Sequence, residues 1–156
     1  MLSSVQCDIV SADEALFSGT VSMVIATGSL GEMGITPGHT PLLSDLNPGL
    51  VRLVMNDGEE EIYYLSGGYI EVQPTSISIL ADTGVRAADI DEASAVAAVK
   101  SAEQRIVNQS SDVDFSKATA MLAEATAQLR TVKALRKKLK LNFNANLSTE
   151  GKTLLR

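Results

Sequence analysis

Tryptophan is absent from these 156 residues, and the whole aromatic share is 4 %. A core without large rings has to be filled by Val, Ile, Leu and Ala. Cysteine occurs once, at Cys7. One cysteine excludes an internal disulfide and has no companions for a zinc site, so no metal is expected and a reducing compartment fits. Nowhere do about 18 apolar residues run together, so no membrane-spanning helix is expected. The opening MLSSVQCDIV has neither the basic n-region nor the apolar h-region of a secretory signal, and none is expected. Acidic residues are missing between Glu124 and Glu150, and proline is missing after Pro74.

What is there divides in two. The net charge is −6. Residues 1–100 hold 14 acidic and 3 basic side chains, a balance of −11, and residues 101–156 hold 5 and 10, a balance of +5. Two parts with different partners are implied, and the acidic part excludes nucleic acid as its partner.

Periodicity changes at the same place. Before Arg86 the apolar runs VQCDIV, TVSMVIAT, GLVRLVM, EEIYYLS, GYIEVQ and TSISILA are short, β-branched and often alternating. Alternation puts one face in a core and one in water. Turn formers separate the runs, and Asp57-Gly58 reads as a hairpin turn. These features predict an antiparallel β-sandwich over residues 1–86. Beyond Arg86, Gly and Pro vanish until Gly151 and alanine becomes frequent. A helix is expected over about 90–107, with Asp89 and Glu92 as a capping box. NQSSD breaks it, and Asp112 or Asp114 caps a second helix running to about Leu141. Phe115, Ala118, Leu122, Ala125, Leu129, Val132, Leu135 and Leu139 form one stripe at spacings of three and four. The expected fold is α+β, a sandwich followed by an antiparallel helical hairpin over 87–141. Alanines on both helices would let the axes approach. The polar end, 142–156, is expected to be a disordered tail.

Candidate chemistry is thin. His39, the single histidine, sits in GEMGITPGHTPLL between Pro37-Gly38 and Pro41. It suits a general base, a turn brace or a contact residue, and no Ser or Cys nucleophile motif accompanies it. GSLGEMG lacks the Lys-Ser/Thr of a phosphate loop. Glu59-Glu60-Glu61 adjoins a hairpin turn and reads as a solvated edge. The strongest signal is cationic: Arg130, Lys133, Arg136, Lys137, Lys138 and Lys140 fall within eleven residues. Helix C-termini favour cations, but six exceed that need, so the run reads as a helix that docks on an acidic surface.

FSG at Phe17–Gly19, GEMGITPGHTPLL, PGLVRL at Pro48–Leu53, YLSGGYIEVQP at Tyr64–Pro74 and LADT at Leu80–Thr83 occur in an order and spacing that resembles the epsilon subunit of bacterial F-type ATP synthases. SDVDF before the second helix and AQLR at Ala127–Arg130 extend the likeness over about the first 140 residues. The resemblance implies a non-catalytic rotor subunit that binds the gamma subunit in the central stalk and sits on the c-ring. Such a subunit is peripheral, on the cytoplasmic face of the bacterial inner membrane. Glu32 would face the c-ring, and Ser11, His39 and Ser44 would face gamma. The hairpin would be regulatory, either folded beside the sandwich or extended toward the alpha and beta catalytic subunits. Extended, its six cations would meet an acidic segment of beta and block hydrolysis.

Some relatives hold ATP at the folded hairpin through I/L-D-x-x-R-A. Here the stretch is IDEASA: Asp91 is present, but Ser94 stands where the arginine would be. A serine cannot supply that cation, so no ATP cofactor is expected. Two readings compete with the resemblance: a generic adaptor with a basic docking helix, and a small hydrolase using His39.

Overall fold

The computed structural model describes residues 3–108 and 112–153, the stretches 112–113 and 142–153 by backbone alone. The described residues form nine strands: β1 Val5–Ser11, β2 Ala15–Val21, β3 Met23–Gly28, β4 Gly31–Ile35, β5 Leu42–Val54, β6 Glu60–Leu65, β7 Gly68–Gln73, β8 Ser76–Ala81 and β9 Gly84–Arg86. A single 3-10 turn, Ala87–Asp89, leads to helices α1 Glu92–Val107 and α2 Asp112–Thr153.

β5 organises the layers. Its first half, Leu42–Leu46, pairs with β7, and its second half, Gly49–Val54, pairs with β6. The strand turns from one layer to the other across Asn47-Pro48, where proline removes a ladder donor. One layer then runs β2-β1-β8-β7-β5, and the other runs through β4, β3, β5, β6 and β9. Cys7, Ile9, Val24, Leu53, Ile70, Val72, Ile77 and Ile79, all fully buried, meet between them. Burying each such aliphatic side chain contributes about 1.5–3 kcal/mol. Burial also pushes the Cys7 thiol up to about 12, with Asp8 adding to the effect.

The sandwich is antiparallel except at one seam. β1 and β8 run parallel, from Gln6 opposite Ser76 to Ser11 opposite Ala81. The chain visits the second layer between these strands, so no hairpin constrains their direction. β2 and β4 were not expected as strands. FSG lies in β2, and GEMGI, read as loop, is an edge strand paired to β3. Asp57-Gly58 does turn the β5–β6 hairpin, with Gly58 at φ +85° and the Gly58 amide donating to Met55 O at 3.0 Å.

β6 is buried on both faces. Tyr63 and Leu65 enter the sandwich core, and Ile62 and Tyr64 are buried outside it, beneath the hairpin. α2 packs across β5 and β6, and α1 packs mainly on α2. The helices approach through alanine: Ala95 and Ala102 on α1, Ala118 and Ala125 on α2, all buried and each pair seven residues apart. That spacing keeps a small residue at each crossing level. Thr131, fully buried, donates its hydroxyl to Ala127 O at 2.8 Å.

Two expectations at the helices need correction. The N-cap of α1 is Asp91, because the 3-10 turn occupies Asp89. α2 does not stop at Leu141: its backbone stays helical to Thr153. Asn142, Asn144 and Asn146 are weak helix formers costing only about 0.7 kcal/mol each relative to alanine, and no proline intervenes. Residues 109–111, the expected break, and 154–156 lie outside the described residues.

Candidate functional site

At the start of α1, Asp91 Oδ1 accepts from the Ala93 amide at 3.1 Å and Oδ2 accepts from Ser94 Oγ at 2.6 Å. The Ser94 hydroxyl, followed by the Ala93 amide, holds the Asp91 carboxyl below its ordinary value. Sequence reading paired Asp91 with a missing arginine; the structure gives Ser94 a task of its own in the cap.

The basic run of α2 divides into two sets. Arg136 pairs with Glu92 across the hairpin, and Lys138 donates to the carbonyl of Glu60 and lies 3.8 Å from the Glu59 carboxylate. Arg130, Lys133, Lys137 and Lys140 are exposed. The Glu59–Glu61 run is therefore no idle edge. Glu61 pairs with Arg86 at 3.1 Å and accepts from the Tyr63 hydroxyl at 2.7 Å. Burial, then this bond to Glu61, raises the Tyr63 phenol above its ordinary value.

The residues expected to contact partners do not form one patch. Glu32 is exposed near the start of β4, beside the β3–β4 turn, whose Leu30 projects fully into solvent. His39 lies past the other end of β4. Its turn is held by His39 N donating to Thr36 O at 3.2 Å and by Gly38 N donating to Pro74 O at 2.8 Å. Its Nδ1 lies 2.7 Å from Thr40 O, and no nucleophile bonds to the ring among the described residues. Ser11 closes the β1–β2 turn, accepting from the Glu14 amide at 3.3 Å. Ser44 sits opposite Ile70, in a cross-strand row with Ile79 and Ile9, so it takes the core-side parity of β5.

The outer face of the first layer carries a row that sequence reading missed. Ala15, Val10, Leu80 and Tyr69 stand abreast on β2, β1, β8 and β7. Val10 is 39 %, Leu80 60 % and Tyr69 55 % exposed. A signal was present in TSISILA, where Leu80 breaks the alternation by placing an aliphatic residue at an outward position. Leu43 on β5, opposite Glu71 and 72 % exposed, adds to the apolar surface of the same face.

Comparison with known families bears on the resemblance. Residues 4–87 match the model of the ATP synthase delta/epsilon chain beta-sandwich domain, and residues 88–133 match that of its long alpha-helix domain. The chain belongs to the ATP synthase delta/epsilon family. Solved structures share the fold. A chain of the Euglena gracilis mitochondrial ATP synthase, from a cryo-EM structure of OSCP/F1/c-ring, superposes with TM-score 0.75 at 19 % identity, covering 81 % of this chain and 80 % of that one. A chain of the Tetrahymena thermophila mitochondrial ATP synthase central stalk/c-ring gives TM-score 0.58 at 10 % identity, covering 82 % and 96 %. Among the described residues, no helix of this delta/epsilon chain is long and apolar enough to cross a membrane.

Proposed function

We propose that this delta/epsilon chain is a non-catalytic rotor subunit that joins gamma to the c-ring and inhibits ATP hydrolysis through its helical hairpin. The observation that carries this reading is the divided basic run of α2. One cation, Lys138, fastens the helix to the body and another, Arg136, ties it to α1, through exposed or half-buried contacts each worth about 0–1 kcal/mol. Four others face solvent, available to an acidic partner. An element held on the body by one helix face and a weak ionic contact can exchange between two docking sites separated by a small free-energy gap. In the extended form Arg130, Lys133, Arg136, Lys137, Lys138 and Lys140 all meet beta.

On the sandwich, Glu32 and Leu30 form the tip toward the c-ring. Ser11, His39 and Ser44 contact gamma, and the Val10–Leu80–Tyr69 row gives a separate apolar surface on the outer face of the first layer. The hairpin takes no ATP through its Asp91–Ala95 stretch, because Ser94 replaces the arginine and the Asp91 carboxylate is occupied in the cap. The site of action is the cytoplasmic face of the bacterial plasma membrane, where the chain is peripheral. Reconstitution with gamma and the alpha/beta hexamer tests the reading. The chain should join the complex and lower its ATPase rate, and failure to bind would return the generic adaptor.

A further inference from the structure

Arg52 stands in the middle of β5 between Val51 and Leu53, whose side chains enter the core. Strand alternation therefore sends Arg52 to the opposite face, under α2. Its Nε is buried and has no hydrogen-bond partner among the described residues. α2 lays Lys137 and Lys138 beside it, closing a cleft of about 540 Å³ with Ile62, Ala134 and Leu141. Glu60 also lines the cleft; Lys138 donates to the Glu60 carbonyl and lies 3.8 Å from the Glu59 carboxylate at its edge, while Glu61 pairs away from it with Arg86, so Arg52 meets none of the three acids. Arg52 is in no ion pair among the described residues. A guanidinium with a desolvated, unsatisfied N–H is costly unless an acceptor reaches it.

We propose that Arg52, Lys137 and Lys138 form a binding site for a phosphate-class oxyanion between the β5–β6 hairpin and α2. The planar guanidinium fork matches two oxygens of a tetrahedral anion, and the lysines add point charge. The aliphatic wall of Ile62, Ala134 and Leu141 lowers the local dielectric and strengthens each contact. Asp91 and Ser94 do not line this cleft, so the site owes nothing to the hairpin motif discussed above. Because one ligand comes from the body and two from α2, a bound oxyanion fastens the helix in its docked position. The site does not depend on the rotor reading, since binding is measured on the isolated full chain.

The test titrates inorganic phosphate and, separately, glycerol phosphate into the full chain by calorimetry. Melting is followed against sodium chloride at equal ionic strength. The expected result is saturable binding, a melting midpoint raised by phosphate beyond the chloride control, and greater amide protection over residues 133–141. Arg52→Gln should weaken binding about tenfold or more, the loss of a charge-assisted contact. Lys137→Gln, at an exposed position tolerant of change, should weaken it too, and Lys100→Gln on α1 should not. Binding of glycerol phosphate as tight as that of phosphate supports a site for phosphorylated small molecules, and its failure supports one for the free ion. Equal midpoints in phosphate and chloride, or undiminished binding in both Arg52→Gln and Lys137→Gln, would overturn the proposal.

Discussion

Ser94 illustrates how one hydroxyl completes a helix cap. It donates to Asp91, and with the Ala93 amide it stabilises the ionised carboxylate. A carboxyl whose folded value is depressed contributes stability that is present above its unfolded value and lost as pH falls through the folded value. The start of α1 should therefore fray only in acid below the ordinary aspartate range. Ser94→Ala should move the Asp91 titration upward, toward the ordinary value, and bring that fraying to higher pH. Carboxyl chemical shifts against pH read both effects. Backbone demands are as local. Gly68 has φ +138°, and a Cβ there would come within 2.0 Å of Leu80 O. At Gly34 a Cβ would meet nothing within 4 Å. Gly68→Ala should cost about 2 kcal/mol or more in thermal unfolding, and Gly34→Ala under about 1 kcal/mol. His39, in contrast, was conspicuous in sequence for its setting of Pro and Gly. Among the described residues its hydrogen bonds lie within its own turn.

At the level of elements, α1 and α2 meet through alanines, and the hairpin rests on the body through α2 over Ile62 and Tyr64. Ala102 is buried on a helix that packs mainly against α2. Ala102→Leu should overpack that seam by about 1–3 kcal/mol and lower amide protection in α1 and α2, leaving β1–β8 protected. Phe115→Ala, at a half-exposed position of the predicted stripe, should change stability by less than about 0.5 kcal/mol. The helices were legible because a period of 3.6 and the lack of Gly and Pro are local properties. The split of TVSMVIAT at Ser22 and the strand in GEMGI were not, because each depends on which neighbour accepts the backbone hydrogen bonds. The docking face of β6 was hidden for a related reason. EIYYL reads as one apolar run, and only the tertiary arrangement decides that Tyr63 meets the core and Tyr64 meets α2. The pairing of Arg136 with Glu92 spans 44 residues, which no sequence spacing announces.

For the whole molecule, the charge split becomes a docking rule. The body holds the basic helix at the Glu59 carboxylate and the Glu60 carbonyl, α1 holds it at Glu92, and the cations left in solvent face outward. The sandwich core draws only on residues from Val5 to Ala81, so it does not need the hairpin to close. Removing the helices uncovers Ile62 and Tyr64 but leaves that core whole. Truncation after Ala88 should therefore give a folded body that retains the outer row, Glu32 and Leu30. The most direct measurement is the ATP hydrolysis rate of the reconstituted complex carrying either the full chain or this truncation. The account predicts that both assemble and that the truncated complex hydrolyses ATP several-fold faster. Equal rates from two fully assembled complexes would contradict it.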